Sequence, residues 1–165
     1  MLVLLMVLLV SLVAFGGDKV DPKVLERGYS IYKETCSMCH KERATLWEFL
    51  KARMSLLSGH RPENIDAPPM NLVSARVKEF YPTELEFVEF VKDYITNPSR
   101  SKGVCKPAAY TFFGTMPPIG QGMSDEDKEA VAKWLYYNYS DIWHDLFRRV
   151  KELQKKVESK KGSSS

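Results

Sequence analysis

The stretch Glu34-Thr35-Cys36-Ser37-Met38-Cys39-His40-Lys41-Glu42 places two of the chain's three cysteines and one of its three histidines within five residues. Two thiols separated by two residues and followed by an imidazole suit three kinds of chemistry: half of a zinc site, a redox dithiol, or an anchor for haem. A structural zinc site needs four ligands, usually as two pairs. Only Cys105 remains as a further thiol, and His60 and His144 each stand alone. A redox dithiol normally opens a helix in a βαβ setting, whereas this pair follows a helical run in a chain without convincing strand patterns. The haem reading uses every residue of the pentad. The Cys36 and Cys39 thiols add across the two haem vinyl groups, the two-residue spacer lets both reach one porphyrin, and His40 falls where an imidazole ligates iron. The motif therefore predicts one haem c, covalently attached through Cys36 and Cys39, with His40 as a metal ligand.

Helices must position that motif, and four carry readable start and stop signals. Asp21 caps and Pro22 opens a run to Thr35 that puts Val24, Gly28 and Tyr32 on one face. Thr45 to Glu48 is a capping box for a helix striped by Leu50, Met54 and Leu57, with a stop at Ser58-Gly59. Thr83 to Glu86 is a second capping box, striped by Val88, Val91 and Ile95 and stopped at Asn97-Pro98. Ser124 caps a fourth helix that runs through Ala130, Val131, Trp134 and Leu135 to about Tyr139. The predicted fold class is all-α. Residues 60–71, 98–106 and 113–122 read as loops punctuated by Pro and Gly. Ordered loops of such length in a small domain usually wrap something.

Composition bounds the rest. A hydrophobic content of 44% and a charged content of 27% belong to a globular chain and exclude wholesale disorder. Of the net charge of +3, residues 144–165 contribute +4, from seven Lys/Arg against three acids, which leaves −1 for the body. A near-neutral body gives no basis for a nucleic-acid partner. Residues 1–15 are apolar except for Ser11, and the first charged side chain is Asp18. That run is shorter than the ~20 residues of a membrane span. It suits a secretory apolar region with a cleavage site at Ala14-Phe15-Gly16, although no Lys or Arg precedes it. The expected organisation is a signal peptide or retained anchor over 1–16, a haem domain over 17–140, and a basic amphipathic tail over 141–165. In the tail, Leu146, Val150, Leu153 and Val157 follow 4-3-4 spacing before a disordered Lys-Lys-Gly-Ser-Ser-Ser end. The expected location is exported and periplasmic, with membrane anchoring if the N-terminal segment is retained.

Over residues 21–139 the chain resembles the class I c-type cytochromes. Gly28, Ile31 and Tyr32 stand eight, five and four residues before Cys36, similar to the Gly-x-x-Leu-Phe pattern of that family. The resemblance implies a cytochrome c fold in which this first helix crosses the last, and Ala130, Val131, Trp134 and Leu135 look like the contact. The Ala67-Pro68-Pro69-Met70 loop resembles the one whose backbone carbonyl takes the histidine Nδ1 proton, here from Pro68 or Pro69. The Met116-Pro117-Pro118 loop resembles the one supplying the distal ligand. The cofactor contacts so implied are Cys36, Cys39, His40, Met116, Pro69 and Tyr32, with His40 and Met116 on the metal. Two features depart from the family. Lys41 stands where a Gly is usual, and the helix over 46–57 is inserted before the proline loop.

Met70 is the alternative distal ligand, followed by His60 and Met123. Met54, on the helix stripe, reads as core, and His144 as a surface or helix-packing residue. Cys105 is left over as a small buried side chain, a dimer disulfide or a contact for a sulfur compound. Tyr110, Phe112, Phe113, Trp134, Tyr136 and Tyr137 read as pocket and core. Tyr139, Trp143 and the tail read as a membrane-surface or partner-helix contact, or as a solvated helix on the domain. The resemblance implies a carrier and not an enzyme, shuttling electrons between respiratory redox partners that dock transiently near Lys33, Lys41, Lys102 and Lys106. A haem relay or sulfur-compound-oxidising subunit of a larger oxidoreductase is the alternative, and a gas-binding haem protein with an open sixth position comes third.

Overall fold

The computed structural model describes residues 20–139, so the apolar segment 1–16, Trp143, His144 and the basic tail lie outside the described residues. Within them all regular structure is helical: α1 (Pro22–Ile31), α2 (Leu46–Leu57), α3 (Met70–Lys78), α4 (Glu84–Thr96), α5 (Pro107–Phe113) and α6 (Asp125–Tyr137). A π-helical turn, Tyr32–Cys36, follows α1, and a 3₁₀ turn, Ile119–Gly122, precedes α6.

The helix starts are those the caps dictate. The Asp21 side chain accepts from Lys23 N–H, and both capping boxes, Thr45 with Glu48 and Thr83 with Glu86, are formed. Ser124 accepts from Asp127 N–H at the start of α6. The first helix reaches its expected end by a different winding. Ser37 N–H donates to Tyr32 O at 2.9 Å, five residues back, so the last turn is wide, and its final residue, Cys36, is buried.

The core is organised by the crossing of α1 on α6, as the family pattern implies. A Cβ on Gly28 would lie 2.2 Å from Ala130 O and 2.6 Å from Trp134 Cβ, so only glycine allows this approach. The Trp134 ring stacks on Tyr32 at 4.6 Å and 21°, with Tyr29 at 5.8 Å. Such pairs add about 0.5–1.5 kcal/mol each beyond burial. α4 packs on α6 through Phe87, Val88 and Val91, and α3 is tied to α6 by Ser74 Oγ donating to Leu135 O at 2.8 Å.

Three expectations need correction. Residues 70–71 and 113 belong to α3 and α5, two helices that the loop reading passed over. α3 starts after two prolines without a side-chain cap, and α5 has only seven residues. Met54 is not core: it is 63% exposed, because Leu50, Met54 and Leu57 face away from the body. Glu48, Phe49, Ala52, Ser55 and Leu56 are the half-buried residues of α2. Tyr139 is not a surface contact either. It is buried, its ring meets Trp134 edge-on at 5.8 Å, and its hydroxyl donates to Glu42 O at 3.0 Å.

Candidate functional site

The pentad forms a tight turn at the end of the π-helical segment. Cys39 N–H and His40 N–H both donate to Cys36 O, at 3.2 and 2.9 Å. This leaves Cys36 buried, Cys39 exposed and Met38, between them, 74% exposed. Burial raises the Cys36 thiol pKa to about 11. Tyr32, wedged on Trp134, donates its hydroxyl to His40 O at 2.9 Å and fixes the backbone at the histidine.

The His40 ring is oriented from the far side of the loop. Its Nδ1 lies 2.7 Å from Pro68 O. A carbonyl can only accept, so the proton sits on Nδ1 and the lone pair on Nε2. Burial lowers the His40 pKa and outweighs the Pro68 bond, which pushes the other way. The ring is thus held neutral with one nitrogen free to ligate. The partner is Pro68 and not Pro69. The Pro69 carbonyl is committed to the first turn of α3, where it accepts from Leu72 and Val73 N–H at 3.0 Å each.

That loop is pinned by α3. Met70 N–H donates to Lys41 O at 2.8 Å and Asn71 N–H to Glu42 O at 3.2 Å. The buried Asn71 side chain accepts from Ala44 N–H at 3.0 Å and donates to Ala44 O at 3.1 Å, clasping the segment that follows His40. Sequence reasoning missed Asn71, whose only signal was a polar residue directly after Ala-Pro-Pro-Met.

Cys36, Cys39, His40 and Met116 all line one cavity of about 260 Å³. Its walls come from Val73 and Val77 of α3, Phe90, Val91 and Ile95 of α4, Tyr110 and Phe113 of α5, and Trp134 and Leu135 of α6. Met70 and Met123 also line it; His60 does not, and is exposed. The set fits a haem on three counts. Two thiols and an imidazole with its Nδ1 engaged stand at one wall, a thioether lines the same space, and the remaining lining is almost wholly apolar. Among the described residues no three His, Cys, Asp or Glu side chains are grouped to hold a metal ion directly.

Comparison with known protein families matches residues 23–135 to the family described as cytochrome c oxidase, cbb3-type, subunit III. The chain belongs to that family of c-type cytochromes. Haem c electron transfer is the chemistry of the class. The chain is also 56% identical over 144 residues to an uncharacterized protein of Aquifex aeolicus (strain VF5), covering 87% of this chain and 94% of that one. No solved structure matches.

The other predicted residues divide. Tyr110, Phe113 and Trp134 line the cytochrome's cavity. Tyr136 instead donates to Pro82 O at 3.0 Å and packs on Phe87, and Tyr137 bonds Glu84 at the surface. Cys105 is half-buried and lines the cavity. Burial raises its pKa, with Arg76 and the Tyr110 hydroxyl pulling the other way. Of the four lysines, Lys41 pairs with Glu48 and Lys102 with Asp93 at 2.8 Å, while Lys33 and Lys106 are exposed. Among the described residues no helix is long and apolar enough to cross a membrane.

Proposed function

We propose that the chain is an exported, periplasmic electron carrier with one haem c, joined to Cys36 and Cys39 and held between His40 and Met116. The observation that supports this most is the convergence of those four side chains on one apolar cavity while His40 Nδ1 is committed to Pro68 O. When bound, haem c supplies a one-electron Fe(III)/Fe(II) couple. The protein's own part is to hold and to exclude. Pro68 fixes the imidazole tautomer and raises its basicity. The Met116 thioether, a soft donor, favours the reduced state and a high potential. The apolar wall keeps water and compensating charge away. Exposed Cys39 and Met38 mark the rim at which a redox partner approaches, and exposed Lys33 and Lys106 are charges that steer the encounter.

A pyridine haemochrome measurement with acid–acetone extraction tests the attachment. One haem c per chain that resists extraction is expected, and Cys36→Ala or Cys39→Ala should shift the haemochrome band toward that of a haem with one free vinyl. Haem that extracts from the unmodified chain would contradict the reading. The family description favours a second reading, a relay fixed within a larger oxidase. Co-purification with a membrane complex that is lost on removing residues 141–161 would select it.

A further inference from the structure

α2 contributes no residue to the lining of the cavity. None of its twelve residues is buried, and Trp47, Leu50, Met54 and Leu57 are 65, 42, 63 and 73% exposed. These four follow 3-4-3 spacing, the seam pattern of a two-stranded helix pair. The half-buried residues of α2 lie on its other side, so this seam is free among the described residues.

The chain contains a matching seam. Trp143, Leu146, Val150, Leu153 and Val157 follow 3-4-3-4 spacing. A shift of 96 positions superposes the two patterns, pairing 47 with 143, 50 with 146, 54 with 150 and 57 with 153. The fold brings the two segments together where each begins: Arg43 Nη2 donates to Asn138 O at 3.1 Å, and Tyr139 Oη to Glu42 O at 3.0 Å. α6 ends at Tyr137, so the chain leaves the described residues beside the segment that leads into α2. As a helix, residues 143–157 would be about 22 Å long, enough to cover the ~18 Å of α2.

We propose that residues 142–157 form a helix that docks in parallel on the exposed face of α2 of the same chain. The seam is then Trp47/Trp143, Leu50/Leu146, Met54/Val150 and Leu57/Leu153. In this register Arg53 falls against Gln154 and Arg149 against Ser58, so like charges do not meet across the seam. Arg148, Lys151 and Lys155 lie along the outer side, away from the haem domain. The inserted helix and the C-terminal extension are therefore two halves of one device.

Paired cysteines in the haem-loaded full chain test it, in a Cys105→Ser background. Leu50→Cys with Leu146→Cys, and Leu57→Cys with Leu153→Cys, should each oxidise to a disulfide within one chain, read by mass and non-reducing gel. Leu57→Cys with Leu146→Cys, the antiparallel pairing, should oxidise far more slowly. A disulfide only between chains, preference for the antiparallel pair, or no disulfide at any pair would overturn the proposal. These outcomes correspond to a second copy, a reversed helix, and a tail that lies on a membrane or a partner. Hydrogen exchange needs no cysteines. Ending the chain at Ser140 should speed exchange of the α2 amides on the order of tenfold and leave α1 and α6 unchanged. Unchanged α2 amides would also overturn it.

Discussion

The two walls of the cavity are built by different means. On the histidine side, bonds reach across the sequence: His40 to Pro68, Met70 to Lys41, Asn71 to Glu42 and to Ala44. On the methionine side the bonds are mostly local. Gly114 N–H donates to Tyr110 O at 3.1 Å, Ile119 N–H to Pro117 O at 2.8 Å and Met123 N–H to Gly120 O at 3.2 Å. Its longer ties are an exposed one from Gln121 Nε2 to Thr96 O at 3.4 Å and the close seat of Gly120 on Ile95. The orientation of the histidine is thus a property of the tertiary fold, whereas the methionine is presented by a stack of short turns. The histidine side should fail together with the fold, and the methionine side should be displaced while the fold survives.

The largest effect should come from Asn71→Ala. It strips both partners from Ala44 in a buried position, and about 3 kcal/mol of stability should be lost. Denaturant unfolding of the haem-loaded chain reads this; a loss under about 1 kcal/mol would mean that the clasp does not hold the histidine wall. Gly120→Val tests the other wall. Its Cβ would meet Ile95 Cγ1 at 2.7 Å and the Ile95 backbone at 3.0 Å. About 2 kcal/mol should be lost, with methionine ligation weakened out of proportion to the fold. Stability and ferric spectrum both like the parent's would show that the seat on Ile95 does not position the loop. Tyr32→Phe should have the smallest effect, about 1 kcal/mol for the bond to the His40 carbonyl. The methionine-dependent spectrum should stay as in the parent, and a change there would show that the two walls are coupled.

The same contrast separates what could be read in the sequence from what could not. The pentad, the Met-Pro-Pro loop and four helix starts are written in short spacings, and each of those helices is present. The choice of Pro68 over Pro69 depends on which carbonyl α3 takes for its own first turn, and α3 itself has no side-chain cap to announce it. α5 did carry a signal, Pro107 at its start and Gly114 just past its end, but on a helix too short to show periodicity. The apolar stripe of α2 was legible, though its direction was not, because periodicity marks a face without saying what covers it. Tyr139 was misplaced for a related reason: its burial depends on Trp134 and Glu42, far away in sequence.

The proposed ligation has His40 and Met116 holding the same iron. The ferric protein should show the weak far-red methionine–iron charge-transfer band. Met116→Ala should abolish that band, leave haem covalently attached, and open the ferrous form to carbon monoxide. A Met116→Ala protein that keeps the band, or a parent protein that lacks it and binds carbon monoxide readily at neutral pH, would contradict the account.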